Sequence, residues 1–162
     1  TAQLVMGDAL AVCLLELNNF SSSDFAKYHP GGALGKKLYL RVHDLIEKNE
    51  VPQVSTTTLI KDVIIEISKK RLGTTAVINN NKIVGIITDG DLRRMLKDNS
   101  DISQLMAQDI MSKNPKTIQV DEMAITALET MENNNITQIL VEDGTKYVGV
   151  VHLHDLLKEG IF

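Results

Sequence analysis

Tryptophan is absent from this 162-residue sequence, and aromatic residues make up only 4% of it. That scarcity excludes the stacked-base platforms by which proteins hold single-stranded nucleic acid. Cysteine is nearly absent too. With Cys13 alone, neither an intramolecular disulfide nor a cysteine-based metal cluster can form, and the expected compartment is a reducing cytoplasm. Excess positive charge is also lacking. A net charge of −4 leaves no basic face for phosphate backbones or anionic membranes, so neither nucleic acid nor a membrane is expected as a partner. No apolar run reaches the roughly 20 residues a bilayer-spanning helix needs, and no signal peptide is visible. The chain starts with Thr1 rather than Met, which suggests a fragment.

What is present is an ordinary globular composition, 43% hydrophobic and 23% charged, enough for one domain or two small ones. The most informative feature is an internal repeat between 41 and 160. Laid over each other without a gap, residues 71–96 and 135–160 align Val77 with Val141, Lys82 with Lys146, and Val84–Gly85 with Val148–Gly149. Asp91–Leu92 meets Asp155–Leu156, and further upstream HDLI (43–46) resembles QDIM (108–111) with a shift of one residue. Each copy reads as a short extended start (Gln53–Ser55; Thr117–Val120), then a helix. The helices carry apolar residues at Leu59, Val63, Ile64, Ile67 and at Met123, Ala127, Leu128, Met131. A strand (Thr75–Ile78; Ile139–Glu142), a polar turn and a second strand (Val84–Thr88; Val148–His152) follow, leading to a helix from Asp89 or Leu153. Neither copy buries a sheet face well alone, so the two are expected to pack as a pseudo-twofold α/β (α+β) pair.

Two segments precede the repeat. Residues 2–17 are apolar on nearly every side of a helix, interrupted by Asp8 and Glu16, so this helix expects cover all round. It reads as the last element of a missing N-terminal domain, or as a helix docked in a dimer interface. The stretch FAKYHPGGALGKKL (25–38) then holds His29, Pro30, three glycines and two lysines. A phosphate loop is excluded, because the glycine spacing is wrong and Lys37 stands where Ser or Thr belongs. A plain flexible linker is one reading. In the other, Pro30 fixes its own φ and biases His29 to an extended conformation. The glycines then permit unusual backbone shapes, and the loop presents an imidazole at a defined place.

GIITDGDL (85–92) and GVVHLHDL (149–156) resemble the signature of cystathionine-β-synthase (CBS) domains, which occur as tandem pairs and usually bind nucleotides between the copies. Gly85 would let the backbone lie close to a neighbour. Thr88 falls at a helix start, where N–H groups and the dipole attract phosphate, and Asp91 can accept from two ribose hydroxyls. Thr88 or Asp89 is equally an ordinary helix N-cap, and Asp91 suits a first turn for dipole reasons alone. In the second copy His152 replaces the threonine and is a weaker phosphate partner. The resemblance implies effector contacts from Thr56, Thr74, Gly85, Thr88, Asp91, His152, His154 and Asp155. His152 and His154 have no third ligand at suitable spacing, so no metal is expected.

The first helix, the HPGG linker and the CBS pair together resemble the D-arabinose 5-phosphate isomerases of sugar-nucleotide biosynthesis. In that family a sugar isomerase (SIS) domain precedes a CBS pair. The resemblance implies the end of a SIS domain at 1–20, a linker at 21–40, and CBS copies at 41–100 and 101–162. It implies His29 as a catalytic contributor to the whole enzyme, with a structural histidine at a domain junction as the alternative. No cofactor is expected. CMP-Kdo, a pathway end product, or an adenine nucleotide is the implied effector, and a homo-oligomer the implied assembly. A CBS pair that serves only as an oligomer interface is the competing reading.

Overall fold

A computed structural model of the chain describes residues 1–29, 31–98 and 101–161. The chain opens with α1 (Ala2–Leu17), α2 (Ser22–Tyr28), α3 (Ala33–Tyr39) and α4 (Val42–Ile46). The first copy follows as β1 (Gln53–Ser55), α5 (Ile60–Lys70), β2 (Thr74–Asn79), β3 (Lys82–Thr88) and α6 (Asp89–Asp98). After α7 (Ala107–Ile110) and the short β4 (Ser112–Lys113), the second copy runs as β5 (Thr117–Gln119), α8 (Ala124–Asn134), β6 (Gln138–Asp143), β7 (Lys146–His152) and α9 (Leu153–Lys158).

The repeat holds residue for residue at an offset of 64. In one sheet β1 runs parallel to β2 with Gln53 opposite Ala76; in the other β5 runs parallel to β6 with Thr117 opposite Leu140. Both hairpins pair the repeated valine with the repeated glycine, Val77 with Gly85 and Val141 with Gly149. Each has its register shift just after that valine. Helices α5 and α8 both end on a left-handed residue, Arg71 at φ 59° and Asn135 at φ 52°.

The segments ahead of the copies are exchanged. Val42 N and His43 N donate to Glu122 O and Val120 O, and Ala124 N donates to Leu40 O, so α4 lies on the second copy. Sixty-five residues on, Ala107 N and Gln108 N donate to Thr58 O and Thr56 O, and Ile60 N donates to Leu105 O, placing α7 on the first. Each core accordingly mixes two parts of the chain. Val42 and Leu45 are buried with Ile118, Leu128, Ile139 and Leu156. Ala107 is buried with Ile60, Val63, Val77 and Ile87. A third cluster, Ala76, Leu140, Tyr147 and Val150, joins the two sheets.

The stretch expected to be a loop is mostly helical. Ser21 and Asp24 form a reciprocal cap, with Asp24 N donating to Ser21 Oγ (3.2 Å) and Ser21 N to Asp24 Oδ2 (3.0 Å), and this starts α2. Gly32 caps α3 with φ −78°, ψ 165°, which any residue can adopt, and Gly35 is buried inside that helix. Among described residues the glycines with positive φ are Gly73, Gly144 and Gly160. The special backbone shapes expected of the glycines are therefore not used at Gly32 or Gly35. Helix α1 is exposed along its whole length, with Leu4, Val5, Met6, Leu10 and Leu17 among its outward side chains. Among the described residues no single helix is long and apolar enough to cross a membrane.

Candidate functional site

Between the copies, the end of β3 and the start of α6 face the segment from β4 to Lys116 and the chain around Ile136 and Gln138. The space divides into adjoining cavities of about 260 and 460 Å³ that share Thr88, Arg94, Ile136 and Gln138 on their walls. Together they have the size of a small-molecule site.

Asp91 organises this cleft. Its Oδ2 accepts from Thr88 N (2.8 Å) and Thr88 Oγ1 (2.7 Å), while Asp91 N donates back to Thr88 Oγ1 (3.3 Å). Its Oδ1 accepts from Arg94 Nη2 (2.5 Å) and Ser112 Oγ (3.2 Å). Only 7% of Asp91 is exposed. Burial pushes its carboxyl upward, but the hydrogen bonds from Thr88 and Arg94 outweigh it and hold the group below the ordinary carboxylate value. Four donors fill the acceptor positions of one carboxylate. A ribose at Asp91 must therefore displace Arg94 or Ser112.

The helix start is similarly engaged. The amides of Thr88 and Asp91 belong to the cap, and Asp89 N donates to Gly73 O (3.0 Å). Three amides at this helix start, those of Thr88, Asp89 and Asp91, are therefore engaged within the protein. Cations also line the cleft. Arg94 is anchored by one nitrogen while 71% of its side chain stays exposed, and Lys113 and Lys116 stand on the facing wall. None of these three was visible as a site residue in the sequence. Arg94 had one signal, its position three residues after Asp91 on the helix, but Ser112, Lys113 and Lys116 arrive only through the exchanged segment.

The second copy repeats the arrangement in weaker form. Asp155 Oδ2 accepts from His152 N (3.1 Å) and Asn49 Nδ2 (2.9 Å), with Lys158 Nζ 3.7 Å from Oδ1. His152 Nδ1 accepts from His154 N (3.0 Å), and the two rings stack with centroids 4.8 Å apart. Burial, with the charge of His154, pushes the His152 pKa down against the pull of Asp155. Asp155, Lys48, Asn49 and Lys158 line a cavity of about 210 Å³. Among the described residues no three His, Cys, Asp or Glu side chains converge on a metal position.

The remaining expected residues lie elsewhere. Thr74 is buried and donates to Ile87 O (3.0 Å). Thr56 is half-buried and gives its carbonyl to Gln108 N. Gly85 sits under Met111. None of these three lines the cleft of Arg94. His29 ends α2 with φ −130°, ψ 56°, exposed, its ring tilted against Phe25 at 4.6 Å. Pro30, expected to fix that conformation, lies outside the described residues.

Two exchanged α/β copies with a ligand-sized cleft between them define a pseudo-symmetric tandem-domain module. The family model of the CBS domain matches residues 42–98 and 107–161, and the chain belongs to that family. Over 160 residues it is 52% identical to the arabinose 5-phosphate isomerase KdsD of Francisella tularensis, covering 98% of this chain and 49% of that protein. It is 44% identical over 163 residues to KdsD of Escherichia coli K12, covering 99% and 50%. The chain thus spans about half the length of these relatives. A CBS domain protein from Pyrobaculum aerophilum, solved complexed with AMP, superposes with a TM-score of 0.65 at 25% identity, over 72% of this chain and 90% of that one. A CBS-domain protein from Agrobacterium tumefaciens gives 0.66 at 21% identity, over 75% and 93%, a likeness of fold alone.

Proposed function

We propose that this chain is the effector-sensing part of an arabinose 5-phosphate isomerase, and that it binds an anionic nucleotide in the cleft of Thr88, Asp91 and Arg94. The observation that carries the reading is Arg94, held by Asp91 at 2.5 Å and otherwise exposed, across a cleft from Lys113 and Lys116. Three cations around one cavity between the copies suit a phosphate. The AMP complex of the Pyrobaculum aerophilum protein supports an adenine nucleotide. CMP-Kdo, the end product of the isomerase pathway, is the other effector the reading allows. In the whole protein the reaction is interconversion of D-ribulose 5-phosphate and D-arabinose 5-phosphate in a cytoplasmic homo-oligomer. A preceding SIS domain, of which α1 is the last element, holds the sugar phosphate. Moving a proton between C1 and C2 needs a general acid and base, and His29 is the residue this reading assigns to that work.

The test is a thermal-shift screen of the chain against AMP, ADP, ATP, CMP and CMP-Kdo. A ligand at 100 times its dissociation constant stabilises by about 2.7 kcal/mol, a shift of several degrees. Arg94→Ala is the informative variant, because Asp91→Ala also removes a buried cap. A shift lost in Arg94→Ala supports the cleft, and no shift with any compound removes the reading. The chain alone is expected to show no isomerase turnover. A second reading, an assembly module without a ligand, is favoured by the outward apolar side chains of α1 together with Ile65 and Leu96. The two separate cleanly: the assembly reading expects no ligand-dependent shift and a smaller particle by sedimentation in Ile65→Glu with Leu96→Glu, whereas the sensor reading expects the shift to survive that double change.

A further inference from the structure

The pair α2–α3, which carries His29, precedes the first copy in sequence but rides on the second. Helix α3 packs on α8 and α2, and Leu40, at its end, accepts from Ala124 N (2.8 Å). Tyr39 Oη donates to Ser23 O (3.4 Å), tying α3 back to α2. One long-range ion pair completes the attachment: Lys36 Nζ lies 2.8 Å from Glu159 Oε2, across 123 positions of sequence. Glu159 and Asp44 are walls of two cavities at once. One, of about 300 Å³, lies under Lys36 and Tyr39; the other, of about 210 Å³, is the second-copy cleft of Lys48, Asn49 and Asp155. Helix α4, which supplies Asp44 and Leu45 to that cleft, follows α3 after two residues. In the first cleft the corresponding wall, Lys113 to Lys116, lies between the copies and leads into β5.

We infer that Lys36–Glu159 is a latch holding the His29-bearing helix pair on the second copy, and that an anion in the second cleft opens it. An anionic group beside Lys48 and Lys158 repels the Glu159 carboxylate and competes with it for Lys36. Both clefts then take an anion: the cation-rich first cleft suits a nucleotide, and the second, where Lys48 and Lys158 stand among Asp44, Asp155 and Glu159, takes a smaller anionic group on its two lysines and is the one mechanically joined to the linker. The consequence for catalysis through His29 rests on the isomerase reading above, whereas the latch itself does not.

The symmetry of the fold supplies the test. Lys48 and Lys113, 65 residues apart, line the second and first cleft respectively, and both are exposed. In a Cys13→Ser background, Lys48→Cys or Lys113→Cys is modified with a sulfonate-bearing methanethiosulfonate, or with its neutral methyl counterpart as control. Hydrogen exchange of amides 22–29 and 35–39 is then followed. The sulfonate at 48 is expected to speed this exchange about two- to fivefold, the range an exposed ion pair can supply, while the same group at 113 leaves it unchanged. Lys36→Met is expected to reproduce the effect without any modification, and Lys36→Glu with Glu159→Lys to reverse it. Unchanged exchange with the sulfonate at 48 or in Lys36→Met, or an equal effect from position 113, overturns the latch. Loss of the nucleotide-dependent thermal shift bears only on the first cleft, so the two readings fail separately.

Discussion

Gly85 lies directly beneath Met111: a Cβ built on it would meet Sδ at 2.7 Å, Cγ at 2.9 Å and Cβ at 3.1 Å. The counterpart contact, Gly149 beneath Ile46, is looser, with Cδ1 at 3.3 Å. Both overlying side chains come from exchanged segments, so the repeated glycine of each hairpin is where the crossover seats.

Gly85→Ala forces Met111 to move from its Cβ outward, and overpacking of this kind costs about 1–3 kcal/mol. Gly149→Ala displaces only the flexible end of Ile46 and is expected to cost less. Urea unfolding of the two variants gives the order directly. Adding Met111→Ala to Gly85→Ala is expected to recover part of the loss. Equal destabilisation by the two glycine changes would deny that the crossover is tighter on the first copy.

Asp91 is expected to contribute to the acid limb of stability. Its folded pKa is lowered, so its contribution is present above the unfolded carboxylate value, near 3.9. That contribution fades as the pH falls through the lower folded value. Asp91→Ala leaves the Thr88 and Arg94 donors without their acceptor, costing about 1–3 kcal/mol near neutrality. The gap between wild type and variant should narrow below about pH 4. A constant gap down to pH 2, measured by chemical denaturation, would show that the carboxylate charge does not matter.

Tyr147 tests the contact between the sheets. Its hydroxyl is buried and donates to Pro52 O (2.8 Å), which also receives Ala76 N (3.2 Å). Tyr147→Phe removes one of two donors to that carbonyl, at a cost of about 1 kcal/mol. Burial pushes the phenol pKa well up. The folded protein therefore keeps a proton that the unfolded chain loses above about pH 10, and stability falls there. The phenylalanine variant is expected to lack that share of the alkaline decline, as thermal unfolding between pH 8 and 11 would show.

How much of this was legible in the sequence differs from element to element. The hairpins were, because Val77–Gly85 and Val141–Gly149 repeat both period and punctuation at one spacing. The exchange was not, although HDLI against QDIM marked the segment as repeated, since the bonds from Val42, His43 and Ala107 are made by backbone atoms that carry no residue signature. Helices α2 and α3 were obscured by Gly31, Gly32 and Gly35, which read as breakers, although the Ser21–Asp24 cap was present in the letters. At the cleft, Thr88 and Asp91 were legible, and so was the alternative that they cap their own helix, which their mutual bonds display. The cations beside them were not, because they come from one helical turn onward and from across the exchange.

His152 gives a pH dependence to the start of α9. Burial and His154 lower its folded pKa, so its contribution to stability is complete above the unfolded value, near 6.5, and is lost as the pH falls through the folded one. Protonation would also convert the Nδ1 acceptor that receives His154 N into a donor, breaking the start of α9. His152→Asn keeps an acceptor at the cap and removes the titration. The wild type is expected to lose stability between pH 7 and 5 relative to this variant, read as a converging pair of melting curves. Parallel curves across that range would place the imidazole in water rather than in the half-buried stack on His154.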